Sequence, residues 1–333
     1  MKHDTWIDNI KIFACILVVV GHFVQSMVAS GIYPQSFYFD LFNQSIYSFH
    51  VPLFFICSGY LYQKRTVISS TKEWFIHVQK KMVNLGIPYF FFSLVTWLFK
   101  SLFSNDVNTQ AAGLFRCLFV EPLSPYWYLY CLFFLFILIR PCKQGSSSLL
   151  LLLICFVAKL YACFYHSDIY LLTILFTYGF WFVLGMCLSF VDLNQYWHSK
   201  ASLLIGFSSL FLFVCYVALG QHIWHEIESF LLGIVACCSF LSLFGHYCSQ
   251  RSCRTIRALC QYTFPVFLMH TLFAAPVRII LFKLSLHNAA LHTLLGLTAS
   301  FLGPMLAYSI LNTNSLTSIL IKPQNIFSKI KKN

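Results

Sequence analysis

Residues 7–23 read IDNIKIFACILVVVGHF. A run this apolar, at a helical rise of about 1.5 Å per residue, is suited to crossing a hydrocarbon core of about 30 Å. Yet the chain places Asp8, Lys11 and His22 on it. Ionisable groups in such a segment are costly and usually face a protein interior, a partner or a site. Lys11 and His22 are eleven residues apart. That spacing returns almost to the same helical face, about 16 Å further along the axis. Asp8 lies one turn before Lys11, within pairing reach. A single stripe therefore links a charge pair near one membrane face to an imidazole deeper in. The plain alternative is a lysine that snorkels to the headgroups and a histidine that only caps or packs.

The rest of the chain repeats the apolar theme. Its 333 residues are 59% hydrophobic and 10% charged, with mean hydropathy +0.74. Soluble domains are nearer 25% charged. The fold class expected is an all-α polytopic membrane protein, since the apolar runs are too long and continuous for barrel strands. Ten spans are predicted, at 7–26, 41–62, 85–103, 126–140, 149–165, 170–190, 201–219, 229–246, 259–283 and 291–311. Pro265 and Pro276 are expected to break or bend the ninth. Residues 145–148, Gly-Ser-Ser-Ser, read as a short turn. The stretch EWFIHVQKKMV at 73–83 reads as an amphipathic helix on the membrane surface.

The formal charge of +12 is read as topology rather than as affinity for nucleic acid, with a lesser role in holding an anionic ligand. With the N-terminus inside, sixteen Lys and Arg fall on the inner side and four (Lys100, Arg116, Arg278, Lys283) on the outer. This bias predicts both termini in the cytoplasm. Residues 1–333 are expected to form one unit, a bundle over 7–311 followed by a basic tail at 312–333. A cleaved signal, with residues 12–20 as its apolar region, is weighed and rejected because Asp8 is unusual in the preceding segment. The 14 Cys are scattered through apolar runs without a C-x-x-C, so neither a disulfide framework nor a zinc site is inferred.

Two further spans carry buried-type histidines. SFHVPLFFICSGY holds His50 and Pro52, and FPVFLMHTLF holds His270. Lone membrane histidines are often satisfied by a neighbour's hydroxyl or carbonyl. Three at comparable depth suggest one internal polar site.

These residues resemble the acyltransferase 3 family of integral-membrane acyltransferases. The first span matches D-x-x-[RK] followed after ten residues by His, here Asp8, Lys11 and His22. The second is similar to H-x-P-L-F-F-x-x-S-G-[FY], here His50, Pro52, Leu53, Phe54, Phe55, Ser58, Gly59 and Tyr60. KKMVNLGIPYFF resembles the basic stretch ending in Pro-Tyr, PYWYLYCLFF the h-x-W-F-L opening, and Phe267-Leu268-Met269-His270 the final His run. The chain departs from the pattern in carrying Lys11 for the commoner Arg, Lys80 and Lys81 for arginines, and Asn84 where another arginine is frequent. Some relatives carry an extra esterase-like domain, and this chain is expected to complete its transfer without one.

The resemblance implies transfer of an acyl group, most often acetyl from acetyl-CoA, to a hydroxyl on a sugar or glycan. It also implies a bacterial cytoplasmic membrane as the location and the lipid bilayer as the immediate partner. No metal is predicted. His22 is the first choice of general base and His50 the second, with His270 in the same site. Asp8 would orient Lys11, and Lys11 would face a phosphate or the developing oxyanion. Lys80, Lys81, Arg140, Arg251, Arg254 and Arg257 are candidates for the polyanionic donor. An acyl-enzyme on His, Ser58 or a Tyr stays open. Trp127 and Tyr128, beside Tyr126, are read as an interfacial belt or as a stacking platform for a sugar. HIWHEIE at 222–228 reads as an exposed loop, with metal binding the lesser alternative. A transporter in which His22, His50 and His270 relay protons is the other class that fits.

Overall fold

The computed structural model describes residues 4–165, 167–220, 223–249 and 254–326. Among them there are helices and no strand: α1 (Thr5–Ala29), α2 (Phe37–Arg65), α3 (Thr71–Leu102), α4 (Trp127–Leu138), α5 (Gly145–Phe164), α6 (Tyr170–Leu188), α7 (Leu193–Trp197), α8 (Lys200–Leu219), α9 (Glu226–Cys248), α10 (Arg254–Lys283) and α11 (Ala289–Leu311). Eight of these, α1, α3, α5, α6, α8, α9, α10 and α11, are long and apolar enough to cross a bilayer. The protein is a multi-pass membrane protein.

The other two predicted spans fall on α2 and α4, which lie outside that set of eight for opposite reasons. α2 has 29 residues, about 44 Å of helix, but carries Asp40, Asn43, Gln44, Ser45 and Ser48 in its first half. Those groups are tolerated because α2 packs between α1, α6 and α9. It runs antiparallel to α1 along its length. Lys64 near its end pairs with Asp4 at 2.8 Å, and Asn43 near its start accepts from Gln25 at 2.7 Å. α4 is apolar but has only 12 residues, about 18 Å. The non-helical chain after it continues the same path, with Tyr62 donating to the Ile139 carbonyl at 2.9 Å and Gln63 bonding both backbone groups of Cys142 at 2.8 Å.

Three local expectations are revised. EWFIHVQKKMV is helical but is not a separate surface helix: it is the first part of α3, whose 32 residues run on through Pro88. Ser70 caps that helix by accepting from the Glu73 N–H at 3.2 Å, which fixes its start well before the apolar run. α10 runs unbroken through Pro265 and Pro276. Gly145 and the three serines after it open α5 rather than forming a turn.

α1 is the hub of the bundle, packing against α2, α9, α10 and α11. Trp6 at its start is buried between Tyr60 and Trp197, with ring centroids 5.1 and 4.8 Å away. α2 and α6 pack with their backbones in close approach. A Cβ on Gly59 would collide with the Phe182 carbonyl, and one on Gly185 with the Ile56 carbonyl. Small residues at such crossings allow the two backbones to touch. α5, α8 and α11 lie at the periphery and expose Leu150, Leu153, Phe207, Phe211, Leu294 and Leu306, the surface a hydrocarbon solvent would cover.

Candidate active site

With α1 flanked by α2 and α10, the three histidines meet. His22 stacks on His270 with ring centroids 5.4 Å apart and 29° between planes. Tyr47, one turn before His50 on α2, joins the other two: its ring lies 4.6 Å from that of His50 and 6.1 Å from that of His22. His50 and His270 are each 1% exposed, while His22 is half-buried.

The hydrogen bonds assign the tautomers. His50 Nδ1 donates to the Ile46 carbonyl at 2.7 Å. His270 Nδ1 donates to the carbonyls of Val266 and Phe267, both at 3.0 Å. Only a protonated Nδ1 can satisfy a carbonyl, so in each neutral ring Nε2 keeps the lone pair. For His22 the assignment passes through a chain. Gln25 Nε2 donates to Asn43 Oδ1 at 2.7 Å, so Gln25 Oε1 is the acceptor for the Tyr47 hydroxyl at 3.1 Å. The single phenolic proton is thereby used, and the Tyr47 oxygen is left to accept from His22 Nδ1 at 3.3 Å. His22 Nε2 then carries the free lone pair, the state a general base requires.

A cavity of about 500 Å³ opens on His22. It lies between the C-terminal halves of α1, α3 and α10, lined by Phe99, Thr271, Leu272, Ile279 and Arg278, with residues 107–109 of the following loop at its edge. It exists because α3 packs mainly on α4 and touches α10 only lightly. This volume suits a small organic ligand rather than a few waters.

The remaining candidates divide by position. Lys11, half-buried, and Asp8 lie toward the opposite end of α1, beside Cys57 and Cys260. Lys81 comes within electrostatic reach of Lys11 and lies 3.7 Å over the Phe136 ring. Lys80 and Arg254 are exposed, and the exposed Arg140 stacks 4.4 Å over Trp74. Arg251 falls outside the described residues. Trp127 and Tyr128 do not line the cavity. Trp127 packs 4.9 Å from Tyr178, and the Tyr128 hydroxyl bonds Ser58 at 3.0 Å; both read as packing. Ser58 itself sits two turns beyond His50, about 12 Å of rise, too far to take an acyl group held at the imidazoles. In HIWHEIE, His222 is outside the described residues. His225 caps α9, its N–H bonded to Glu228 at 2.7 Å, so this stretch is a helix start.

Sequence reasoning missed Tyr47, Gln25 and Arg278. The first two had a faint signal, a hydrogen-bonding side chain three residues from a histidine on the same face, in Y-S-F-H and H-F-V-Q. Arg278 is 6% exposed in α10 and was counted only as an outer cation.

The family model described as "Acyltransferase domain" matches residues 4–309. Among curated proteins the chain is similar to nodulation protein NolL of Mesorhizobium japonicum (strain LMG 29417 / CECT 9101 / MAFF 303099), at 30% identity over 139 residues. That match covers 42% of this chain and 36% of the relative, so the chain spans about a third of that protein's length. No solved structure matches. The helical bundle, the histidine cluster at its centre and a family match running from the start of α1 almost to the end of α11 agree: the chain belongs to the acyltransferase 3 family of membrane acyltransferases.

Proposed function

We propose that this protein moves an acetyl group from acetyl-CoA to a hydroxyl of a sugar or cell-surface glycan, free or lipid-linked, in a bacterial cytoplasmic membrane. The observation that carries the reading is His22, oriented through Nδ1 by Tyr47 and opening on a cavity large enough for an acceptor. His22 Nε2 takes the proton of the acceptor hydroxyl as its oxygen bonds the thioester carbonyl carbon. The tetrahedral adduct collapses, the carbon–sulfur bond breaks, and the CoA sulfur leaves with the proton from the imidazolium. The products are an O-acetyl ester and CoA-SH, with His22 returned to its neutral form.

Lys11 belongs to the donor. It stands about 16 Å of helical rise from His22, beyond hydrogen-bond reach of an oxyanion formed there. Together with Lys81, and with Lys80, Arg140, Arg251 and Arg254 on the same predicted side, it would receive the phosphates of CoA. The thin pantetheine arm would then run along α1 toward His22. Asp8 would orient the Lys11 ammonium. Purified protein incubated with acetyl-CoA and a panel of glycans should release CoA and yield O-acetylated sugar. Bilayer-dependent movement of substrate without acetylation would instead favour a transporter.

This reading requires the Lys11 end to be cytoplasmic. Reporter fusions after Lys72, after Arg254 and at the C-terminus should report cytoplasm, and those near Asp106 and Glu226 the outside. A reversed result at Arg254 or Glu226 would remove the proposed donor route.

Tyr47 is a positioning residue. Tyr47→Phe removes the acceptor for His22 Nδ1–H and frees the ring to turn. The loss of one hydrogen bond should lower kcat roughly 10-fold with acetyl-CoA binding unchanged. A change in binding with kcat intact would mean that Tyr47 shapes the donor path instead.

A further inference from the structure

Of the four cations that sequence placed on the outer side, three line the cavity beside His22: Arg278, Lys100 and Lys283. The fourth, Arg116, is exposed and neutralised by Glu121 at 2.7 Å, and its hydrogen bonds hold that carboxyl below the usual carboxylate range. Lys283, with a 60% exposed side chain, pairs with Asp106 at 3.2 Å at the rim. Lys100 bonds the Thr109 hydroxyl at 2.8 Å. Arg278 differs from both. It is 6% exposed, its guanidinium donates to Ser26 Oγ, and among the described residues no carboxylate pairs with it. A buried guanidinium is ordinarily paired with an anion, and one against a neutral hydroxyl alone still has most of its five N–H donors to place.

We propose that Arg278 binds an anionic group, carboxylate or phosphate, carried by the acceptor within about one sugar ring of the hydroxyl that is acetylated. The spacing sets that limit. Ser26, which positions the guanidinium, stands one turn beyond His22, about 6 Å of helical rise. An anion on Arg278 and a hydroxyl at His22 Nε2 therefore belong to the same sugar unit or to the atom joining it to its neighbour. The walls between them are mostly apolar, Phe99 and Leu272 among them, and the polar groups there, Gln25, Ser26, Thr96 and Thr271, are neutral. This leaves the guanidinium as the buried charge that faces the cavity. Lys100 and Lys283 add charge at the mouth and would draw an acidic glycan inward. The inference rests on the acyl-transfer reading of the same cavity and names the class of acceptor.

The test reads binding and turnover separately. Detergent-purified protein is titrated with methyl glucuronide, glucose 1-phosphate and methyl glucoside while its unfolding temperature is followed. One or both anionic sugars should stabilise the wild type where the neutral one does not, and the stronger of the two identifies carboxylate or phosphate. Arg278→Gln should weaken the anionic sugar about 10- to 100-fold, and Arg278→Lys should restore part of the loss. Lys283→Gln, at a 60% exposed side chain, should weaken it by a smaller factor that vanishes at high salt. Equal response to charged and neutral sugars, no response to any, or an Arg278→Gln protein that binds like the wild type would overturn the proposal. Selective anion binding without acetyl transfer to any acceptor would leave this site standing and remove the acyltransferase reading.

Discussion

His22→Ala should lower acetyl transfer about 10²- to 10⁴-fold, the range lost with a positioned general base, while the protein inserts and binds acetyl-CoA as before. The expectation follows from geometry rather than from the presence of histidine alone. His270 stacks on His22 and His50 reaches it through Tyr47, but each of these two is 1% exposed and neither lines the cavity. His22 alone of the three faces it. Lys11→Ala and the double change Lys80→Ala/Lys81→Ala should give the opposite pattern, weakening acetyl-CoA binding. Lys11→Arg should keep much of the activity, because it preserves the charge. Equilibrium binding of CoA to the purified variants, measured beside their turnover, separates the two roles. A His22→Ala protein that no longer binds CoA, beside a Lys11→Ala protein that does, would reverse the assignment and favour transport.

Gly185→Leu should prevent assembly of the bundle, and Gly185→Ala should already lower its unfolding temperature. Any Cβ at this position enters the space of the Ile56 carbonyl, and Gly59 meets the Phe182 carbonyl in the same way. Backbone cannot turn aside as a flexible side chain can, so α2 and α6 must separate. That opens contacts of Phe55, Phe182 and Met186, all fully buried. The cost should reach or exceed about 3 kcal/mol, the upper part of the overpacking range. Gly86→Ala is the control, since its Cβ would meet only the Phe90 ring at 4.0 Å. Thermal unfolding of the detergent-purified variants decides it. A Gly185→Ala protein as stable as Gly86→Ala would mean that this crossing does not hold the bundle together.

Much of this protein is legible in its sequence because a membrane permits few solutions. In hydrocarbon every backbone group must be satisfied within its own segment, so apolar runs such as 201–219 and 291–311 fall on α8 and α11 with little room for error. The rule fails where tertiary neighbours replace lipid as the solvent. α2 can carry Asn43, Gln44 and Ser48 because α1, α6 and α9 cover it, and hydropathy does not register that cover. α4 can be short because Gln63 and Tyr62 receive the chain beyond it.

The candidate site divides in the same way. The stripe of Asp8, Lys11 and His22 follows from helical periodicity, which is local and therefore readable along one segment. That His22, His50 and His270 share one place depends on α1 lying between α2 and α10. Close approaches such as that of Gly296 on α11 to the Phe23 ring hold the hub in its position. No spacing along the chain encodes which helices are neighbours. The tautomer of His22 is set by Tyr47 and Gln25 on two different helices, and the cavity by the splaying of α3 from α10. Arg278 is the sharpest case. In the sequence it is one outer cation among four, and only its burial, its bond to Ser26 and the open space beside His22 make it a binding group. Composition and periodicity determined that this chain crosses a membrane and which helix carries its imidazole. Packing decided which groups that imidazole meets, because the contacts that orient it and the void it faces come from segments far apart in the chain.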